Sequence, residues 1–144
     1  MNVEELLHAK GSDVVTIHPG ETVTALARQL SRRKIGAVVV SHDGRAIDGI
    51  ISERDVVRGI VAKGEQVLDM PVSDLMTRKV VTCKFGESLK DIMQLMTRWR
   101  VRHIPVVDRG TLAGILSIGD VVKSRLDDMK LEADVLRDCL IARR

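Results

Sequence analysis

The sequence predicts an α/β (α+β) protein of two pseudo-symmetric β-α-β-β-α units with a C-terminal helix. Three observations predict it. The chain repeats itself, with residues 14–21 (VVTIHPGE) and 80–87 (VVTCKFGE) agreeing at five of eight positions. The blocks 49–57 (GIISERDVV) and 114–122 (GILSIGDVV) agree at six of nine, and GAVVV (36–40) aligns between them with HIPVV (103–107). Each copy also carries one stretch with the spacing of an amphipathic helix and two β-rich runs closed by a Gly/Asp turn, which is the pattern of a duplicated supersecondary unit.

Each unit opens with a short strand, Val14–Ile17 or Val80–Cys83, and a Pro-Gly or Phe-Gly turn. A helix follows over Thr22–Lys34 or Ser88–Arg100. Its apolar face is Val23, Leu26, Ala27 and Leu30 in one copy and Leu89, Ile92, Met93 and Met96 in the other, both at i, i+3, i+4, i+7. Two strands come next, Ala37–Val40 with Ala46–Ile51, and Ile104–Val107 with Leu112–Leu116, joined by SHDGR or DRG. A second helix starts at Ser52 or Ser117, and Gly64 stops the first of these. Lys63–Thr77 links the copies and holds a short helix around Val72–Met76. The units are placed at 1–66 and 67–125, with a helical extension over 126–144. Units this small bury too little apolar surface to stand alone, so the two are expected to share their packing.

In the extension, Val122, Leu126, Met129, Ala133, Leu136 and Leu140 are spaced 4, 3, 4, 3, 4, an a/d seam. Two readings stand. The stripe covers the protein's own surface, against Val3, Leu6 and Leu7, or it meets a second subunit.

Composition excludes several classes. Phe85 and Trp99 are the only aromatic residues, so the stacking platforms of single-strand nucleic-acid binders are missing. A net charge of +3, with acidic residues spread throughout, is too weak for a nucleic-acid-binding field. The apolar run Ile35–Val40 falls far short of the ~20 residues a membrane span needs. MNVEELLHAK has no apolar signal-peptide core, and Cys83 and Cys139 form no CxxC pair, so an inert pair of thiols in a reducing cytoplasm is expected. His8, His18, His42 and His103 are scattered without metal-ligand spacing, and no phosphate-loop, dinucleotide or nucleophile-elbow motif occurs. The expectation is a protein that is not an enzyme and uses neither metal nor catalytic cofactor.

The repeated element Gly-Ile-x-Ser-x-x-Asp runs from Gly49 to Asp55 and from Gly114 to Asp120, where a strand turns into a helix. One reading is a capping box, in which Ser and Asp satisfy free N–H groups at the helix start. The other uses the same geometry for a ligand. A helix N-terminus attracts phosphate, and an ionised Asp accepts two hydrogen bonds from a vicinal diol such as a ribose.

These motifs, with GAVVV and the stretch Arg100–Asp108 (RVRHIPVVD), resemble the CBS (cystathionine β-synthase) domain, and the chain resembles a stand-alone tandem pair of them over about residues 5–125. The resemblance implies two units packed through their sheets about a pseudo-two-fold axis, with two clefts between them, commonly in a disk-like homodimer. It implies a sensor that binds adenosyl compounds such as AMP, ADP, ATP, NAD(H) or S-adenosylmethionine and regulates another protein in trans. Carried over by position, Asp55 and Asp120 would hold ribose hydroxyls with Ser52 and Ser117 beside them. Ile104, before Pro105, would line the adenine, with Ala37 as its counterpart. Lys10-Gly11 and Met76-Thr77 would complete the cleft walls, and Thr16 and Thr82 belong to the first strands beside them. Arg54, Arg102 and His103 would face phosphates. The two clefts should differ, and the one with Asp120 and His103 is the first choice for a phosphorylated ligand. The competing reading is an interaction or dimerisation module whose clefts are empty or degenerate.

Overall fold

The computed structural model describes residues 1–11 and 13–142. In chain order the elements are α1 (Val3–Lys10), β1 (Thr16–Ile17), α2 (Val23–Arg33), β2 (Ala37–Val40), β3 (Gly49–Ser52), α3 (Glu53–Lys63), α4 (Leu89–Trp99), β4 (His103–Asp108), β5 (Thr111–Ser117) and α5 (Ile118–Ala142). Two 3-10 turns, Gly64–Asp69 and Val72–Asp74, fill the linker, so the short helix expected there is a single 3-10 turn. The C-terminal extension is continuous with the closing helix of the second unit, and its residues 143 and 144 lie outside the described residues.

The duplication is visible in how the helices start and stop. Thr22 and Ser88 cap α2 and α4 by accepting hydrogen bonds from the N–H groups of Ala25 and Asp91. Lys34 and Arg100 end the same helices in the left-handed conformation, with φ of 55° and 54°. The inward faces are those the spacing predicted. Val23, Leu26 and Leu30 are buried on α2, as are Leu89, Ile92 and Met96 on α4. Ala27 lies at the margin, and Met93 is exposed at 37%.

In the first unit β1 runs parallel to β2, and β2 runs antiparallel to β3. In the second, β4 and β5 are antiparallel, and the expected first strand Val80–Cys83 shrinks to one parallel bridge between Cys83 and Val106. The reason lies upstream. Thr77 exchanges both backbone hydrogen bonds with Ile50 of the first unit, at 2.8 and 2.9 Å. Residues 78–82 therefore cross from one sheet to the other.

The ladder also corrects the alignment of the two copies. Ala37 pairs with Ser52, and His103 pairs with Ser117. His103 is thus the counterpart of Ala37, Arg102 of Gly36, and Ile104 of Val38. This is one residue away from the match read between GAVVV and HIPVV. A register shift follows only after Val106, beyond the counterpart of Val40.

The repeat does not predict α1. Asn2 caps it, accepting from the Glu5 N–H at 2.9 Å. Val3, Leu6 and Leu7 enter the core of the second unit, beside Leu89, Ile104, Leu116 and Val121. The segment leading the first copy thus packs on the second, and the linker leading the second copy packs on the first. Two counterpart glycines make room. A Cβ on Gly49 would lie 2.8 Å from the Thr77 carbonyl oxygen, and one on Gly114 would lie 2.8 Å from the Leu7 methyls.

On α5, Val121 and Ser124 face the body and are buried. The heptad residues do not cover the protein's own surface. Leu126, Met129, Leu136 and Leu140 are each more than half exposed, and Val122 is 42% exposed. No helix among the described residues is long and apolar enough to cross a membrane.

Candidate functional site

Both Ser-x-x-Asp pairs form the reciprocal bonds of a capping box. The Ser52 N–H donates to Asp55 Oδ2 at 2.8 Å, and the Asp55 N–H points back to Ser52 Oγ at 3.4 Å. In the second unit the Ser117 N–H donates to Asp120 Oδ2 at 2.9 Å and the Asp120 N–H to Ser117 Oγ at 3.1 Å. Capping and ligand binding are compatible here, because the cap engages one oxygen of each carboxylate and leaves Oδ1 for another donor.

The two aspartates differ in what lies opposite. Lys10, at the end of α1, places its ammonium 2.6 Å from Asp120 Oδ2 and 2.7 Å from the Ile115 carbonyl oxygen. Burial pushes the Asp120 carboxyl up, but the bond from Lys10 and those from Ser117 outweigh it and hold it below the usual carboxylate range. The counterpart of Lys10 on the other side is Met76, which carries no charge to offer Asp55.

A cavity of about 330 Å³ opens at the junction of the units on the Asp55 side. One wall is the start of β2, the end of β3 and the first turns of α3: Gly36, Ala37, Ser52, Glu53, Arg54, Asp55 and Arg58. The other is the crossing segment, with Thr77, Lys79, Val80 and Val81, and the approach to β4 with Arg100, Val101, Arg102 and His103. Ile50 and Ile118 close it.

The structure therefore gathers seven of the expected site residues in one place: Ala37, Ser52, Arg54, Asp55, Thr77, Arg102 and His103. Lys10, Ser117 and Asp120 form a separate cluster. His103, paired with Ser117 across the β4–β5 ladder, lines the Asp55 cavity and also lies within reach of the charges of Lys10 and Asp120. A Cβ on Gly36 would lie 3.5 Å from the His103 ring. Ile104 is fully buried and Pro105 is buried with it, so neither lines the cavity. Gly11 and Thr82 are exposed and Thr16 is half-buried, all outside the cavity lining. Sequence reasoning missed Arg58, Lys79 and Arg100. Arg58 follows Arg54 by four residues and so shares its helix face, a signal the sequence did carry.

Burial lowers the pKa of His103, the charges of Lys10 and Arg102 lower it further, and Asp120 and Glu53 pull the other way. These surroundings favour the neutral ring, which offers a hydrogen bond and not a charge. Burial raises the Cys83 thiol to about 12, with help from Glu87, which makes it inert. Among the described residues no group of three or more His, Cys, Asp or Glu side chains is arranged to hold a metal ion.

The CBS domain family matches this chain twice, over residues 3–62 and 72–127. The crystal structure of the CBS-domain containing protein ATU1752 from Agrobacterium tumefaciens is 45% identical. It superposes with a TM-score of 0.84 and covers 87% of this chain and 99% of that one. The mitochondrial CBS domain-containing protein CBSX3 of Arabidopsis thaliana is 36% identical over 116 residues, which is 78% of this chain but 56% of the plant protein. The CBS domain pair of protein MJ0100, solved in complex with 5'-methylthioadenosine and S-adenosyl-L-methionine, shares the fold. Its TM-score is 0.76 at 23% identity, over 90% of this chain and 98% of that one.

Proposed function

The chain belongs to the CBS-domain family, and from that premise we propose that it is a regulatory module that binds an adenosyl nucleotide in the Asp55 cavity and relays occupancy to a partner protein. The observation that carries this is the cavity itself. It spans both units, and it holds a helix-start Ser-Asp pair with no cation among the described residues seated on the carboxylate. Asp55 takes the ribose diol through Oδ1 while its other oxygen keeps the helix cap. Thr77 and Ala37 flank the sugar and base, and the cations at the mouth face the phosphates. The adenosyl ligands of the MJ0100 pair support this class of ligand. A molecule bound to both walls shifts their packing only by its differential affinity for the two arrangements. The polypeptide's role is binding and transmission, with no chemical step.

Thermal melts with AMP, ADP, ATP, NAD+, NADH and S-adenosylmethionine test the reading. A ligand at 100 times its Kd stabilises the fold by about 2.7 kcal/mol. No shift with any of the six would return the choice to an interaction module with empty clefts. One observation favours interaction as a second role alongside binding. The exposed seam on α5 has the period of a helix pair, and a second copy of the chain is the partner we propose for it.

A further inference from the structure

The ion-pairing pattern of the cavity distinguishes among adenosyl ligands. Five cationic side chains line it: Arg54 and Arg58 from the first unit, and Lys79, Arg100 and Arg102 from the segments leading into the second. Two carboxylates, Glu53 and Asp55, oppose them, leaving an excess of three positive charges in one cavity. That equals the formal excess of the whole chain, +3. The ion pairs found among the described residues are Lys10–Asp120, His42 with Asp43 and Asp48, and Arg137–Asp134. None of the five cavity cations takes part in one.

The fold does not require this charge. The pseudo-symmetric counterparts of Arg54, Arg58, Lys79, Arg100 and Arg102 are Gly119, Lys123, Asp13, Lys34 and Gly36. With Ile118 and Asp120 standing for Glu53 and Asp55, the other side sets two cations, Lys34 and Lys123, against two carboxylates, Asp13 and Asp120, at the same positions. The basic excess is particular to the cavity that keeps an open aspartate.

We propose that the Asp55 cavity selects adenosyl ligands with two or more phosphates, which act as the counter-ion joining the two units, and discriminates against the cationic S-adenosylmethionine. This rests on the adenosyl reading above and names the ligand class within it. Arg54 and Arg58 stand one turn apart on α3, so they present two forks along one line. Arg100 and Arg102 approach from the opposite unit. A single phosphate engages one pair, whereas a di- or triphosphate reaches both. In the free protein the two groups repel across the junction, and the ligand's charge removes that repulsion.

The test is titration calorimetry on the full chain in magnesium-free buffer, with adenosine, AMP, ADP, ATP, S-adenosylmethionine and inorganic tripolyphosphate, at low and high salt. The expected order is adenosine weakest among the neutral and anionic ligands and ATP tightest, with ADP at least about tenfold tighter than AMP. S-adenosylmethionine binds no better than adenosine, and added salt compresses the series. The variants Arg54→Gln/Arg58→Gln and Arg100→Asn/Arg102→Gln each flatten the series, weakening ATP by a larger factor than adenosine. Asn is used at 100 because it tolerates the left-handed backbone there. Arg32→Gln, on α2 and outside the cavity, leaves the series unchanged. If one double variant fails to fold, the other carries the comparison. AMP binding as tightly as ADP and ATP, adenosine and ATP binding equally, or S-adenosylmethionine binding tightest overturns the inference and leaves the adenosyl reading standing. Tripolyphosphate binding with every adenosyl compound silent keeps the anion cavity and overturns the nucleoside reading. Silence from all six ligands overturns both.

Discussion

The Lys10 ammonium sits 2.6 Å from Asp120 Oδ2, at the position where a cleft symmetric to the Asp55 cavity would offer its carboxylate to a ligand. The contact follows from the crossing of α1 onto the second unit, which brings residue 10 over the start of α5. Replacing Lys10 by Met, the residue at the counterpart position 76, removes the internal cation. The expected outcome is a rise in bound nucleotide from one to two per chain in calorimetry, with a stability loss of about 1 kcal/mol. The loss stays near the small end because both partners are a quarter to a third exposed. A stoichiometry that stays at one would show that Lys10 does not occlude the second side.

The two aspartates should therefore separate binding from stability. Asp55→Ala loses one helix-cap acceptor, about 1 kcal/mol of stability. It also loses the ribose contact, weakening nucleotide binding by about 1.5–3 kcal/mol. Asp120→Ala loses a similar cap and strands Lys10 beside the Ile115 carbonyl, so it destabilises more while leaving affinity at the Asp55 cavity within a factor of about two. Denaturant melts and titrations on both variants check the crossing pattern. Equal effects on binding would put Asp120 back at the ligand.

Much of this arrangement was legible in the chain and some was not. The doubled blocks, the helix faces and both Ser-x-x-Asp starts can be read directly, because they are local and periodic. The register of β4 cannot, since aligning GAVVV with HIPVV maximises similarity while the ladder slips by one at Val106/Val107. The pairing of His103, not Ile104, with Ser117 is what sets His103 at the Asp55 cavity and Ile104 in the core. The crossing of α1 is a long-range packing choice with no signature beyond Asn2 as a cap and the buried trio Val3, Leu6 and Leu7. The Lys10–Asp120 bond depends on that choice, so the sequence showed two sides differing but not which aspartate would meet a lysine.

The glycines at the two crossings predict unequal costs. In Gly49→Ala the new methyl meets the Thr77 carbonyl and the Met76 sulfur at 2.8 and 2.7 Å. Backbone cannot yield without breaking the Ile50–Thr77 bonds. In Gly114→Ala the obstacle is the end of the Leu7 side chain, which can rotate away. Chemical denaturation should show both destabilised, by about 1–3 kcal/mol, with Gly49→Ala the greater. The reverse order would mean that the Thr77 crossing is more pliant than the α1 dock.

If α5 pairs with a second copy, a charge on its seam should split the assembly without unfolding the unit. Leu136 is 64% exposed, so Leu136→Glu costs the isolated fold little. Sedimentation should show a dimer for the parent chain and a monomer for the variant, with unchanged melting of the secondary structure in dilute solution. A monomeric parent chain at high concentration would leave the seam without a homotypic role.

His103 makes the pH dependence directional. Its folded pKa lies below 6.5, chiefly through burial, with Lys10 and Arg102 lowering it and Asp120 and Glu53 opposing. Above pH 6.5 the ring is neutral in both folded and unfolded chains and contributes no slope. As the pH falls below 6.5, the unfolded chain takes up a proton before the folded one does, so stability declines through that window. His42 acts with the opposite sign. Its hydrogen bond to Asp48, with the charges of Asp48 and Asp43, raises its pKa, and the stability it adds is lost as pH rises above 6.5. Denaturant melts from pH 5 to 8 on the parent chain and on His103→Gln isolate the first effect, and the variant should lose the acid-side slope while keeping the other. A bound phosphate beside His103 favours the imidazolium and works against the burial effect. Nucleotide binding near pH 6 should therefore draw a proton from the buffer, read as a dependence of the calorimetric heat on buffer ionisation enthalpy. The same heat in every buffer, with the acid-side slope still present, would mean that the phosphates lie away from His103.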